Sequence, residues 1–363
     1  MGLIFLVIFL VVLGFWITLP FIPALSEYFR PQDIDPVRVV RDSEVRATFL
    51  ADGHREFIRQ HLAEQVSRCL ATGNSQYGEL KDGTSFAVLE ATEDQEAPTQ
   101  PEAVIVSCGS LRLSPESNYP LELYARKSVV GGDGGTCRAI LADEDIELGP
   151  ECTTLRWVHA NRSFSAGAGC SLWGRVSAGE QIRLTTNTVF ERLNARRITF
   201  GESAVSAIPP PDGERLESGD LPRVIDDSAG RWLVRGKLDV PENRRIDASL
   251  VATGSGRIGD RARITGSIKS HKTLVLGRGV VVDGNVVSLH DIQLGEGCLI
   301  RGLLLAGGTV TIREGCVFGT PEAATTVSAR QAVVAPGVIV HGTFWAHQQG
   351  RTDAAVHQGG SNG

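Results

Sequence analysis

The amino-acid sequence predicts a mainly β protein whose chain winds as a parallel three-sided β-solenoid in two blocks. Residues of buried type recur every six positions. This spacing fits neither the 3.6-residue period of a helix nor the alternation of a simple strand. A coil with three sides, each giving one strand and one turn, has this spacing. The composition agrees, because 41 glycines suit tight corners and an aromatic content of 6% suits a narrow interior.

The six-residue spacing identifies the side chains that we expect inside each rod. Three steps make a coil of about 18 residues, so residues one coil apart should stack in columns on neighbouring strands. The predicted interior positions are Ile140, Ile146, Cys152, Val158, Phe164, Cys170, Val176 and Ile182 in the first block, continued by Thr188 and Phe200 across a break at Asn194, and Ile268, Leu274, Val280, Val286, Ile292, Cys298, Leu304, Val310 and Cys316 in the second, resumed after a change of phase by Val327, Val333, Ile339 and Trp345.

Residues 1–27 are predicted to form a transmembrane helix. The apolar run at 3–25 is long enough for a bilayer core of roughly 30 Å at about 1.5 Å per residue. A cleaved signal peptide is the alternative, but the run has no basic residue before it and exceeds the usual apolar length. The positive-inside rule places the bulk of the chain in the cytoplasm, because the first basic residues all follow the run, at Arg30, Arg38, Arg41 and Arg46.

Residues 28–102 are predicted to form a mixed α/β region that ends in a linker. An amphipathic helix is expected from His54 to Leu70, with Asp52 as its N-cap and Gly73 after its end. The segment Thr92–Glu102 is acidic and contains proline, as linkers do. The apolar face of the helix is assigned to Phe57, Ile58, His61, Leu62, Val66 and Leu70.

The remaining chain divides into four predicted segments. The first solenoid block is expected at 103–202 and the second at 231–346. A proline-rich spacer at 203–230 separates them, and a polar, disordered tail follows at 347–363. Because no capping helix follows the second block, its C-terminal coil is expected to leave strand edges open and to serve as a self-association surface.

The cysteines predict structural roles. Cys152 and Cys170 stand one coil apart in a column, and Cys298 and Cys316 do the same in the second block. Two thiols do not make a closed metal site, and cysteine fits a narrow column as a small apolar residue. We therefore expect no metal and no cofactor. The glycine cluster at Gly131–Thr136 lacks the lysine of a phosphate-binding loop and is expected to be a solenoid corner.

Enzymatic alternatives depend on the histidines. A hexapeptide-type acyltransferase needs a histidine base between subunits, and His271 and His341 are the best placed for this role. A zinc-dependent carbonic anhydrase would need three histidines, but His290, His341 and His347 have no recognisable ligand spacing. The net charge of −6 gives no indication of a nucleic-acid surface. Carbohydrate stacking is a further alternative, and its candidates are Trp157, Trp173, Trp232 and Trp345.

The second block resembles the bactofilins, which are bacterial polymer-forming cytoskeletal proteins. The resemblance covers about 231–346 and rests on the run from Arg235 to Gly302. This run has an apolar residue at every sixth position, "GxI", "GxV" and "GNV" steps, and no catalytic signature. It implies a right-handed triangular β-helix that assembles end to end into nonpolar filaments without nucleotide. It also implies a scaffolding role at the inner membrane.

The sequence therefore favours a membrane-anchored, self-assembling scaffold that organises a cell-envelope process such as cell-wall or exopolysaccharide synthesis. Its expected partners are copies of itself, the membrane through residues 3–25, and envelope-biosynthesis proteins. It is expected at the inner membrane as a single-pass protein that is not an enzyme. The alternatives are a membrane-tethered acyltransferase acting on sugar precursors through His271 or His341, and a periplasmic carbohydrate-binding β-helix with the opposite orientation.

Overall fold

The computed structural model describes residues 46–92, 95–98, 102–202, 213–228 and 230–353, with isolated positions among residues 2–15. These residues belong to two compact units, 1–49 and 50–363, and all described strands lie in the second. Among the described residues, no helix is both long enough and apolar enough to cross a lipid bilayer. The membrane helix expected at 1–27 falls mainly on residues outside this description.

Two helices precede the first strands. Helix α1 spans Phe49–His61 and helix α2 spans Ala63–Thr72, so the single predicted helix starts one turn earlier than expected and is interrupted at Leu62. Gly73 ends α2 in the left-handed conformation with φ 66°, as the sequence predicted. The apolar face differs from the prediction at His61 and Leu70, which are exposed, whereas Cys69 is buried. Asp52 lies inside the first turn of α1 and is not its N-cap.

The predicted parallel β-solenoid is confirmed and has about 14 turns. Rod 1, residues 85–200, winds from β2 onward and carries β1 as an antiparallel edge strand on β2. Its strands are β1 Gln76–Glu79, β2 Ser85–Leu89, β3 Gln95–Glu96, β4 Ala103–Ser107, β5 Leu111–Arg112, β6 Asn118–Ala125, β7 Val129–Gly131, β8 Thr136–Ala142, β9 Ile146–Leu148, β10 Thr153–Ala160, β11 Ser163–Ala166, β12 Ser171–Ala178, β13 Gln181–Leu184 and β14 Val189–Phe200.

Rod 2, residues 231–352, repeats this architecture. Before it lie β15 Glu214–Arg215, a 3₁₀ helix at Ser218–Asp220 and β16 Val224–Ser228, which pairs antiparallel with β17. The rod itself contains β17 Arg231–Val234, β18 Leu238–Val240, β19 Arg244–Ile246, β20 Ser249–Ala252, β21 Gly256–Ile258, β22 Arg263–Ile264, β23 Ile268–Ser270, β24 Leu274–Leu276, β25 Val281–Val282, β26 Val286–Ser288, β27 Ile292–Leu294, β28 Leu299–Ile300, β29 Leu304–Ile312, β30 Val317–Phe318, β31 Thr325–Val334 and β32 Val338–Thr352.

Each rod has three sheet faces. Face 1 contains β2 and β4 in rod 1 and β17, β20, β23 and β26 in rod 2. Face 2 contains β7, β9 and β11 in rod 1 and β19, β22 and β25 in rod 2. Face 3 contains β18, β21, β24 and β27 in rod 2 and the first residues of β8, β10 and β12 in rod 1. The longest strands turn corners and contribute to more than one face.

The predicted columns lie in the rod interiors. In rod 1, Val158 pairs in register with Ile140 and Val176, and Phe164 pairs with Ile146 and Ile182. In rod 2 the in-register columns are Ile268/Val286/Leu304 and Leu274/Ile292/Val310, and Val280, Cys298 and Cys316 are buried at one corner.

The last coil of each rod departs from the regular spacing. In rod 1 the predicted interior positions Thr188 and Phe200 are buried, and at the predicted break Leu193 points inward instead of Asn194, because the coil before it is one residue shorter. In rod 2, Val334, Val340 and Phe344 are buried, so the predicted positions Val333, Ile339 and Trp345 point outward instead. A register shift between Ala329 and Gln331 in β31 accompanies this change.

Segment boundaries also differ from those expected. Parallel pairing begins at Ser85, inside the region assigned to the mixed α/β segment. The second rod does not end at Ala346, because β32 continues to Thr352, whose side chain is buried. The part of the spacer that is described, from Gly213 to Ser228, contains strand and 3₁₀ structure that packs on the first coil of rod 2.

Helices α1 and α2 cover the outer side of face 1 in rod 1. Ile58, Leu62 and Cys69 pack on outward-facing residues of β2 and β4 such as Val88 and Val106. Farther along the same face, Ala51 packs on Leu141 and Trp157. These strands are apolar on both sides, "SFAVL" in β2 and "AVIVS" in β4, as expected of a sheet buried on both faces. The helices thus cover a side of rod 1.

A polar network fixes α1 on this face. The Arg55 guanidinium binds Asp143 Oδ1 at 2.9 Å and Asn161 Oδ1 at 2.6 Å, and the Tyr124 hydroxyl donates to Asp143 Oδ2 at 2.6 Å. His159 lies beside it, with Nε2 3.2 Å from Asn161 Oδ1. Burial lowers the pKa of His159, and the nearby Arg55 lowers it further. The Arg55–Asp143 ion pair in this network is only partly exposed. It should therefore contribute more to stability than a fully exposed surface pair, which water and salt screen.

His54 predicts a loss of stability in acid. It is buried between Phe57 and Trp157, and burial lowers its pKa to about 4. Below about pH 6.5 the unfolded chain binds a proton that the folded chain does not, so stability is complete above that pH and falls as the pH drops towards 4, by about 3 kcal/mol from this residue. Denaturant midpoints of the full chain across this range should show the slope. His54→Leu should flatten it.

Phe57→Leu is the matched control for this prediction. It removes packing at the same contact without removing a titrating group, so it should lower stability by a similar amount at every pH. A His54→Leu variant with an unchanged slope would contradict the assignment.

Candidate functional site at the junction of the two rods

The C-terminal coils of the two rods are paired with each other. Strand β14 of rod 1 runs antiparallel to β32 of rod 2, and the pairing has three segments, one on each face. Phe190 pairs with Gly350 on face 3, Leu193 with Phe344 on face 1, and Ile198 with Val340 on face 2. The register shifts at the two corners between these segments. All three sheets therefore continue from one rod into the other. The direction of the chain around the rod axis reverses at the junction, because the strands that meet there are antiparallel.

Three phenylalanines fill the core of the junction. Phe190 and Phe200 come from rod 1 and Phe344 from rod 2, and all three are fully buried. The Phe344 ring lies 5.3 Å from Phe190 and 5.6 Å from Phe200, both in edge-to-face geometry, and Phe190 lies 5.6 Å from Phe200. Such pairs contribute about 0.5–1.5 kcal/mol each beyond their burial. The close approach also explains Gly350, where a Cβ would lie 2.4 Å from the Phe190 ring.

Polar side chains close the junction at its corners. Thr352 Oγ1 donates to the Thr185 carbonyl at 2.7 Å and accepts from the Thr188 N–H at 2.8 Å. Asn194 Nδ2 donates to Thr343 Oγ1 at 2.8 Å. These contacts satisfy groups that an open coil end would leave unpaired.

An arginine–tryptophan stack marks the junction on the outside of face 1. The Arg192 guanidinium lies 4.8 Å from the centre of the Trp345 ring, and His347 stacks on the same ring at 4.1 Å. Burial lowers the pKa of Arg192, and the like charge of Arg175 lowers it further. The cation–π contact offsets part of that burial cost. Trp345 is thus already engaged by protein groups on its ring.

The expected self-association surface is therefore not free. The C-terminal end of rod 2 was predicted to leave open strand edges, but these edges pair with β14 within the same chain. The prediction was wrong because it considered only a helix after the second block as a cap, whereas the end of the first rod covers these edges. The junction satisfies the open strand edges of both rods together.

The candidate histidines are dispersed. His271 and His290 are exposed on the corner between faces 1 and 3 of rod 2. His341 lies on another corner, with Nδ1 3.2 Å from the Arg196 carbonyl oxygen across the junction, and His347 lies beside Trp345. The structure brings no two of them to a common ligand position. Within the described ranges, no group of three or more His, Cys, Asp or Glu side chains is arranged to hold a metal ion.

The tryptophans and the glycine cluster take structural positions. Trp157 is buried under α1, and Trp232 is buried in the first coil of rod 2. Gly131–Thr136 forms a corner, where Gly134 has φ 68°. At Gly132 a Cβ would lie 2.5 Å from the Pro115 nitrogen of the neighbouring coil, so the corner requires glycine.

The column cysteines have a specific structural role. Each thiol donates to the carbonyl oxygen of a corner glycine in the preceding coil, at distances of 2.9 Å for Cys152, 3.2 Å for Cys170, 3.1 Å for Cys298 and 3.1 Å for Cys316. Burial raises the pKa of the Cys316 thiol. Cysteine therefore fits the narrow column and also supplies a donor to a carbonyl at the corner.

Thiol reactivity offers a direct measurement. All seven cysteines are buried and unpaired by disulfides. We expect a soluble aromatic disulfide reagent to modify none of them at an appreciable rate in the folded full chain and all of them after denaturation, because burial keeps the reagent from the sulfur atoms. Cys152 is the most stringent position, because its hydrogen bond with the Cys170 thiol lowers its pKa to about 7. One thiol that reacts at the rate of a free peptide cysteine would contradict the structural role of that position.

The sequence missed the junction, although it contained a signal for it. The last coils place Phe190, Phe200 and Phe344 at interior positions, whereas within rod 1 the predicted columns hold a single phenylalanine, Phe164. The grouping of phenylalanines at the ends of both blocks is this signal. A shallow depression of about 450 Å³ lies over the junction on face 2, between Arg183, Arg197 and Ile339.

The fold and the junction define the class of this chain as a tandem parallel β-solenoid whose rods are joined C-terminal end to C-terminal end. No family model, no curated protein and no solved structure matches it.

Proposed function

We propose that this chain is a membrane-anchored, bactofilin-like scaffold protein that organises a cell-envelope process such as cell-wall or exopolysaccharide synthesis. The observation that carries the proposal is the junction, in which two solenoid ends associate through all three sheets. This is the end-to-end contact by which solenoid rods build longer assemblies. Here it occurs within one chain, so one molecule already contains two associated rods.

The resemblance at 231–346 supports the same proposal. The resemblance implies right-handed winding, assembly without nucleotide and a position at the inner membrane. We propose all three properties for this chain. The apolar segment at 3–25 would anchor it as a single-pass protein with the bulk of the chain in the cytoplasm. Envelope-biosynthesis proteins are the proposed partners.

Further self-association would use the N-terminal ends of the rods. Strand β1 lies at the edge of face 1 in rod 1, and its described pairing is with β2 alone. The Leu80 N–H bonds to the Thr84 carbonyl, so in an antiparallel ladder the backbone groups of Tyr77, three residues earlier, point away from β2. Tyr77 is 69% exposed. It thus offers an open donor and acceptor to a second copy.

Electron microscopy of the purified full chain in detergent, without nucleotide, tests the proposal. We expect rods joined end to end in wild type and in Tyr77→Thr, which keeps the backbone N–H. Tyr77→Pro should give single rods, because proline removes the outward donor and leaves the bonds to β2 intact.

Each other outcome counts against the proposal. Single rods in wild type at every concentration would overturn self-assembly. Discrete trimers would favour the acyltransferase, whose histidine would lie between subunits. Assemblies that persist in Tyr77→Pro would show that another surface joins the molecules.

A further inference from the structure

One corner of the molecule carries an unusual combination of side chains. The corner between faces 1 and 3, which we name the basic ridge, contains residues 235–237, 253–255, 271–273, 289–291, 307–308, 330 and 347–348 in rod 2. In rod 1 it continues through 155–156, 173–174 and 191, between the two parts of β10, of β12 and of β14. At about 4.8 Å per strand, the ridge is roughly 50 Å long.

The ridge is basic although the whole chain has a net charge of −6. In rod 2 its exposed charged residues include Arg235, Lys272 and Arg330, and His271 and His290 stand beside them. The ridge residues include two carboxylates, and each accepts a backbone hydrogen bond. Asp291 accepts from the Thr309 N–H at 2.7 Å, and Glu191 accepts from the Gly174 N–H at 2.7 Å.

The opposite corner of rod 2, between faces 3 and 2, is only slightly acidic. Its four carboxylates, Glu242, Asp260, Glu296 and Glu314, exceed its basic residues, Arg261, Arg278 and Arg313, by one charge. A partner with negative charge is therefore favoured on the basic ridge over this corner.

Exposed apolar side chains lie among these basic residues. Leu289, on the ridge, is 57% exposed, and Leu155, on the same ridge in rod 1, is 49% exposed. On the adjoining outer surface of face 1, Leu305 is 39% exposed, in the same row of register partners as Val287 and Lys269. Exposed leucine among lysine and arginine is typical of surfaces that lie in the headgroup region of a bilayer.

We infer that the basic ridge lies on an anionic lipid membrane, with Leu155 and Leu289 inserted among the headgroups and the basic side chains on lipid phosphates. The shape favours a bilayer over a protein partner. The ridge is a convex corner between two sheets, and a peptide helix needs a groove or a flat face. A soluble acidic polymer would neutralise the charge but would leave the leucines in water.

The inference does not require the N-terminal anchor, because it concerns residues of the rods themselves. It goes beyond the proposed scaffold role by giving the rods a defined orientation, with the ridge on the lipid and the acidic corner towards the solvent. The experiment must therefore measure lipid contact at the ridge itself, and not merely whether the chain is bound to the vesicles.

A fluorescent reporter provides this test in the full chain. Leu289→Cys is labelled with a polarity-sensitive dye, and Glu296→Cys, on the acidic corner, is the matched control. Each is reconstituted into vesicles of phosphatidylcholine alone and into vesicles with about 30% phosphatidylglycerol. We expect the dye at 289 to shift to the blue and its quenching by acrylamide to fall about threefold in the anionic vesicles only, and to recover at about 0.5 M salt.

Charge-neutralising variants complete the design. Lys272→Gln with Arg235→Gln, on the Leu289→Cys background, should abolish the shift while the chain still sediments with vesicles through its anchor. Carbonate extraction measures membrane anchoring by the N-terminal segment separately. A chain without a working anchor can therefore be distinguished from a ridge that does not contact lipid. Equal quenching in both vesicle types, or equal shifts at 289 and 296, would overturn the inference. Protection by added polyglutamate without lipid would assign the ridge to an acidic polypeptide instead.

Discussion

Replacing Phe344 with alanine is expected to lower the free energy of unfolding by about 3–5 kcal/mol. Phe344 is fully buried where the rods meet, and its ring contacts Phe190 and Phe200 edge to face. The smaller side chain would leave a cavity that three antiparallel strand pairings prevent from collapsing. Hydrogen exchange measured by mass spectrometry on the full chain should show lost protection in β14 and β32.

The control for this variant is Phe164→Ala. Phe164 is equally buried but lies within rod 1, between Ile146 and Ile182. Its loss should cost a similar free energy and open β11 and its neighbours, with the junction less affected. If Phe344→Ala and Phe164→Ala reduce hydrogen-exchange protection in the same peptides, the junction does not open independently of rod 1.

Replacing Ile292 with aspartate should destabilise rod 2 by more than about 4 kcal/mol, a loss that is rare for one substitution. Ile292 is fully buried, and it pairs in register with Leu274 and Val310. A carboxylate there would have no partner and would have to remain neutral or draw water into the interior. Because each coil buries its interior only against its neighbours, the damage should spread to the coils on both sides.

The neighbouring residue supplies a stringent control. Gln293 is in the same strand, but it points outward and is exposed. Gln293→Asp should change the free energy of unfolding by no more than about 0.5 kcal/mol, as surface substitutions usually do. Thermal unfolding of the two variants, followed by circular dichroism, checks the prediction. Similar unfolding midpoints for Ile292→Asp and Gln293→Asp would contradict the interior column of Leu274, Ile292 and Val310.

The solenoid was predictable because its signal is repeated in every coil. Ile292 lies in the same environment as Leu274, one coil earlier. Each coil therefore repeats the same evidence for the fold, and the six-residue spacing remains recognisable even where single positions depart from it. The signal failed where coils change length, at Leu193 and at Phe344, because a shift of one residue exchanges the inward and outward sides of a strand. The helix cover was missed because β2 and β4, apolar on both sides, lie before the regular spacing begins.

The junction was not predictable from the spacing, which describes only neighbours within a rod. The pairing of β14 with β32 joins residues far apart in the chain, such as Asn194 and Thr343, and reverses the direction of winding. No local pattern encodes that direction. The three phenylalanines mark the two rod ends, and they indicate a junction only when both ends are compared.

The pairing of β14 with β32 also fixes an interval during synthesis. Asn194 and Thr343 are 149 residues apart. A ribosome adding about 5–20 residues per second therefore needs roughly 7–30 seconds between them. Since domains generally fold N-terminal first during synthesis, the last strand of rod 1 lacks its partner strand for this time, and a nascent chain on the same messenger can supply one. Translation speed over the second rod should then decide the yield of exchanged dimers, and slow codons there would raise it.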